Sequence, residues 1–128
     1  MKKLAITLAA TLMLMLPSLS FSAAKARTFT GEIMDSQCAK MGSHEMMVKK
    51  EMPDKASMYN DPQVKAMCTK QCVKMGGKYV LYNAARKAVY QLDDQTKPEE
   101  FAGENVTIKG TYDRATKTIH VASIEAAK

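Results

Sequence analysis

No stretch of this chain is long and apolar enough to span a bilayer: the longest hydrophobic run, residues 4–16, has 13 members, against the roughly 20 that a transmembrane helix needs. Tryptophan is absent, and 6 Gly and 4 Pro in 128 residues are too few for a collagen-like or low-complexity chain. A nucleophile elbow of the G-x-S-x-G type, an H-E-x-x-H pair and a phosphate-cradling glycine loop are all missing. With no nucleophile and base in a recognised pattern, the chain is not expected to be an enzyme. Basic residues form no long block, so a nucleic-acid partner is not expected either. Residues 76–128 contain neither Cys nor Met.

Sulfur is instead concentrated upstream. All three cysteines (Cys38, Cys68, Cys72), His44 and eight of the 11 methionines fall within residues 34–75. Ahead of them, Lys2 and Lys3 precede the apolar run, which ends at Pro17 and small residues. This is the layout of a secretory signal peptide over residues 1–24, cleaved between 22 and 26. The expected product is periplasmic or secreted, with no transmembrane segment after cleavage. Its charge is modest, since seventeen basic side chains against thirteen acidic ones leave a formal +4 once Lys2 and Lys3 are lost. The full chain is 46% hydrophobic and 25% charged, and residues 25–128 suit one globular domain with an ordinary core.

The second half reads as strands. Residues 78–83 (KYVLYN) and 87–92 (KAVYQL) are rich in aliphatic and aromatic side chains around a short polar join, which predicts a hairpin. Residues 105–112 place Val106, Ile108, Gly110 and Tyr112 on one face, and residues 118–124 return with Ile119 and Val121 inward, a second hairpin. Between the hairpins, Pro98 at a helix start, Glu99 and Glu100 in the first turn and Gly103 as a stop predict one helical turn. Residues 28–34 alternate well enough for a first strand. After it, residues 43–52 predict a short helix closed by Pro53. A longer helix starts at Asp61-Pro62 and stops at Gly76-Gly77. On that helix Val64, Met67, Cys68, Cys72 and Met75 share one apolar stripe, and the abundant methionines are expected to fill core gaps.

The fold class that follows is mainly β with a helical insertion (α+β): a small five-stranded antiparallel barrel, helices over residues 35–77 between strands 1 and 2, and a helical turn before strand 4. The pattern FAGENVTIKGTY followed by TIHVASIE resembles the closing half of oligonucleotide/oligosaccharide-binding barrels. The whole mature chain is similar to a group of small uncharacterised exported bacterial proteins, through its opening GEIMDSQC, the following His44, the helix CTKQCVKMGGKYVLY and the strand FAGENVTIKG. That resemblance implies a cysteine-stapled exported barrel, with Asp35, Cys38, Cys68 and Cys72 as the matching positions. It implies nothing about substrate.

Three cysteines in an oxidising compartment leave one unpaired. Cys68 and Cys72, one helical turn apart, have Cβ atoms about 5–6 Å apart in a regular helix, too far for a disulfide without distortion. Cys38 is therefore the better partner for either, closing a loop that contributes about 3–4 kcal/mol. The competing reading is a soft-metal or thiol-redox centre. Cys38, His44, Cys68 and Cys72, flanked by Met46 and Met47, offer thiolate, imidazole and thioether donors suited to copper or zinc. C-x-x-x-C matches neither the usual zinc nor the thioredoxin or haem spacing. Asp35 caps the turn after the first strand or tunes Cys38. His120 belongs on the outer face of its strand. Tyr79, Tyr82, Tyr90 and Tyr112 are barrel residues first, and stacking residues only if a ligand is found. The primary reading is an exported, disulfide-stabilised barrel acting as a binding or structural module of the cell envelope, its ligand or protein partner unknown. No cofactor is required by this reading.

Overall fold

The computed structural model describes residues 24–51, 54 and 56–128; the first 23 residues of the expected leader, and Pro53, lie outside them. The described residues form five strands: β1 (Arg27–Asp35), β2 (Tyr79–Asn83), β3 (Ala88–Leu92), β4 (Asn105–Asp113) and β5 (Thr118–Ala126). Helices α1 (His44–Glu51), α2 (Ala56–Tyr59) and α3 (Pro62–Lys74) all lie between β1 and β2, and 3-10 turns occupy Cys38–Lys40 and Lys97–Phe101. The mainly β architecture, the helical insertion and the turn before β4 are thus as the sequence implies. The short α2 carries no sequence signal of its own.

The strands pair in the order β1-β2-β3-β5-β4, and β4 returns to β1, so the sheet closes on itself. The expectation of an antiparallel arrangement needs correction, because β3 and β5 run parallel through Gln91↔Thr118 and Leu92↔Ile119. The reason is parity. A closed ring with an odd number of strands cannot alternate direction at every neighbour, so one parallel pair is unavoidable. It falls here at the shortest ladder, and the Asp93 carboxylate reinforces it, accepting from Val121 N at 2.8 Å and meeting His120 Nδ1 at 3.1 Å.

Alternation along the strands sorts two cores. Inside the ring, Ile33, Leu81, Val106, Ile108 and Ile119 are fully buried and pack with Tyr79, Leu92 and Ala102, each large side chain contributing about 1.5–3 kcal/mol by its removal from water. On the outer face, Met34 and Val80 join Ala39 and Tyr82 under the insertion. The end of β1 is consequently buried on both faces, from Glu32 through Asp35.

Helix α3 starts as expected, with Asp61 Oδ1 accepting from Gln63 N at 2.8 Å and Pro62 at its first position. The expected apolar stripe is not its buried face. Met67 and Met75 are 65% and 67% exposed, whereas Thr69 is fully buried. The helix lies so close to the connection between the Lys97–Phe101 turn and β4 that a Cβ on Gly103, at φ +77°, would stand 2.7 Å from the backbone of Lys65 and Ala66. Close backbone approach sets that contact, Val73 packs against the barrel core, and Met67 and Met75 are left in solvent. Gly103 therefore does more than stop a turn.

Two measurements check this description. At the register shift between Lys109 and Gly110, a Cβ on Gly110 would fall 2.1 Å from the His120 carbonyl oxygen, so Gly110→Ala is expected to lower the urea-unfolding free energy by about 2 kcal/mol or more. The Asp93 carboxyl is held below the ordinary carboxylate range, chiefly by the Val121 N–H and then by His120. A depressed carboxyl contributes stability that is present at neutral pH and is lost as pH falls through its folded value. The stability difference between the native chain and Asp93→Asn should accordingly shrink as pH falls from about 4 toward 2.

Candidate functional site

Where β1 ends, the chain must turn sharply to enter the insertion, and Asp35 organises that turn. Its Oδ2 accepts from Gln37 N at 2.9 Å and Cys38 N at 3.2 Å, as expected of a turn-capping carboxylate. The return path is tied in beside it: Ser36 N donates to Lys78 O at 2.8 Å and Lys78 N donates to Ser36 Oγ at 3.1 Å. Gly77 N donates to Cys72 O at 3.1 Å, which sets the last turn of α3 against the same corner. A carboxylate oxygen of Asp35 and the sulfurs of Cys38 and Cys72 consequently lie within 4.8 Å of one another. Asp35 is fully buried, and its Oδ1 has no hydrogen-bond partner.

All three cysteines are free thiols, so the disulfide expected from Cys38 is not formed in this structure. Of the two partners weighed for Cys38, the fold brings Cys72 to it. Burial first, then the hydrogen bond and charge of Asp35, push the Cys38 thiol well above its ordinary range. The thiolate is the nucleophilic form, so Cys38 is a poor attacking group as it stands. Cys68 is raised as well, by burial and then by Cys72, yet it stands outside the compact trio.

His44 is not part of this cluster. It is 2% exposed, with Nδ1 2.5 Å from Glu32 Oε1 and Nε2 3.5 Å from Thr69 Oγ1. Both ring nitrogens are thus occupied in linking the outer face of β1, the first residue of α1 and the buried face of α3. Among the described residues the donor atoms that come within 4.8 Å of one another are those of Asp35, Cys38 and Cys72, so the fold does not bring the four Cys/His donors together as one set. Met46 is 51% exposed and packs over Gly42; the side chain of Met47 lies outside the described residues. The expectation that the methionines are mostly core also fails, since Met41, Met46, Met58, Met67 and Met75 are exposed while Met34 is fully buried. An α-helix hides only one stripe, and on α3 that stripe carries Thr69 and Val73 rather than Met67.

A second region contains Tyr90 and Tyr112, two of the tyrosines named from the sequence as possible stacking residues, together with Phe29, which was not. Phe29, Tyr90 and Tyr112 form a mutually packed triad, with ring centroids 5.5–5.8 Å apart. A groove of about 450 Å³ lies beside it, lined by Arg27, Phe29, Asn83, Arg86 and Tyr90 among others. A second, of about 600 Å³, shares Tyr90 and is lined by Lys40, Lys87, Tyr112 and Lys117 among others. The lining residues of the two include five cations and no acid. Lys87 and Lys117 both adopt left-handed backbone, at φ 50° and 54°. Each closes a hairpin whose turn begins with a carboxamide or carboxylate: Asn83 Oδ1 accepts from Arg86 N, and Asp113 Oδ1 from Ala115 N. Glycine or asparagine is the usual occupant of such backbone, where other side chains cost roughly 1–2 kcal/mol. The sequence signal was present in the spacing of these two lysines after Asn83 and Asp113, but only the closed sheet brings the turns to one groove. His120, exposed as expected, is occupied with Asp93.

No family model, curated protein or solved structure matches this chain. Among the described residues no helix is long and apolar enough to cross a membrane.

The His44 bridge makes a direct prediction. Removing one partner of a buried hydrogen-bonded pair leaves the other unsatisfied, so His44→Ala is expected to lower unfolding free energy by about 1–3 kcal/mol, measured in urea. Glu32→Gln combined with His44→Ala should cost less than the sum of the two separate changes, because the stranded carboxylate is then gone.

Proposed function

We propose that the chain is an exported small barrel of the oligonucleotide/oligosaccharide-binding type that acts as a binding module of the cell envelope, and that its ligand is an acidic saccharide chain. The strand order, the single parallel β3–β5 contact and the helical turn before β4 support the barrel reading. In barrels of this type the face of strands 2–3 and the loops joining strands 1–2 and 4–5 take the ligand. The larger groove draws on these segments: Lys40 comes from the first of the loops, Lys117 from the second, and Lys87 and Tyr90 from the turn and strand that follow β2, while the smaller groove is lined by β1, the β2–β3 turn and Tyr90.

The observation that carries the ligand class is the paired left-handed lysines. Two turns that glycine would relax each hold a cation toward the same aromatic groove. Ring faces of Tyr90, Tyr112 and Phe29 suit the flat apolar faces of sugar rings, and the five cations suit carboxylate or phosphate substituents. The leader expected at residues 1–24 favours an envelope saccharide over a nucleic acid, which export would separate from the chain. No catalytic role is assigned.

The test replaces both lysines. Lys87→Gly with Lys117→Gly should leave thermal stability unchanged or raised, because the strained backbone is relieved, and should weaken binding of an oligogalacturonate about tenfold, read by calorimetry against a neutral glucan of the same length. Binding that survives the double change, or a preference for a single-stranded oligonucleotide over the acidic saccharide, would remove this reading.

A further inference from the structure

We infer that Asp35, Cys38 and Cys72 form a site for one zinc(II) ion, which locks the last turn of α3 to the turn leaving β1. The inference goes beyond the ligand groove and does not depend on what the groove binds. Its first ground is geometry: the three donor atoms already lie within 4.8 Å of one another. Zinc bonds of about 2.3 Å to sulfur and 2.0 Å to oxygen bring tetrahedral ligand atoms roughly 3–4 Å apart, a contraction that small side-chain rotations supply. The second ground is independent of the sulfurs. Asp35 Oδ1 is fully buried and has no partner, and an unsatisfied buried carboxylate oxygen carries a large desolvation cost. A cation beside it removes that cost.

The alternative occupant of the same corner is a Cys38–Cys72 disulfide. It would use both sulfurs and leave Asp35 Oδ1 as it is. The ion accounts for both features, and it also fits the arrangement behind the donors. Asp35 Oδ2 is already fixed by Gln37 N and Cys38 N, the kind of support that orients a metal-ligating carboxylate. Two thiolates and a carboxylate are a donor set that zinc accepts, whereas the hard carboxylate oxygen disfavours copper(I). Binding displaces the two thiol protons to solvent, and no oxidant is consumed. Three protein donors leave a fourth position for water. Lys40, two residues beyond Cys38 and on the rim of the larger groove, would be held in place by the same ion.

The experiment uses the reduced full chain and zinc(II) alone. One ion per chain is expected by native mass spectrometry, with two protons released in weakly buffered solution and a thiolate-to-metal charge-transfer band when cobalt(II) replaces zinc. Cys72→Ser and Asp35→Asn should each weaken binding at least about tenfold, and Asp35→Asn retains an acceptor for Gln37 N and Cys38 N, so the turn is kept. Cys68→Ser and Met46→Leu should bind as the native chain does. Failure to bind one zinc, or equal losses from Cys68→Ser and Cys72→Ser, would overturn the site. So would a chain that is isolated with Cys38 linked to Cys72 and takes up no zinc after reduction. Saccharide binding measured on the same zinc-free samples reports on the groove separately, so failure of one reading is distinguishable from failure of the other.

Discussion

Everything in this molecule hangs on β1. It is the strand through which the ring closes, paired with β4 along its first half and β2 along its second. Its inward side chains enter the core at Ile33, while its outward ones meet the insertion at Glu32 and Met34. A strand buried on both faces cannot shift register by one residue without exchanging the two sets. Its register therefore fixes both the interior and the seat of the helices.

That constraint explains why the chemistry collects at one end of the strand. The insertion leaves at Asp35 and returns at Lys78, so exit and return are neighbours in space, clasped by hydrogen bonds between Ser36 and Lys78. The end of α3 arrives at the same corner. Cys38 and Cys72 meet because the loop between them is closed by the sheet, and His44 meets Glu32 because α1 begins just beyond the turn. The two contacts hold the insertion in different ways. One is a complete hydrogen-bonded bridge, and the other is a set of donors with a carboxylate oxygen still unsatisfied.

At the hairpin ends the same economy appears in another form. Both turns place an amide or acid side chain at their start and a lysine in left-handed backbone at their end. Local energetics alone would favour glycine there, so the backbone of these turns does not itself call for a lysine. Their convergence beside the Phe29, Tyr90 and Tyr112 triad gives a chain of small net charge one face that is strongly cationic.

Sequence by itself determined the strands at residues 105–112 and 118–124, the capped start of α3, the turn before β4 and the mainly β class, because alternation, capping residues and turn residues act over a few neighbours. It also placed Asp35 beside Cys38, a contact three residues long. Tertiary structure decided the rest. Ring parity made β3 and β5 parallel, the meeting of α3 with His44 buried Thr69 while Met67 stayed exposed, and the closed loop chose Cys72 over Cys68 as the neighbour of Cys38. His44 went to Glu32 instead of the thiols for the same reason. Each of these depends on which distant segments the closed sheet holds together, and no local pattern of residue types carries that distance.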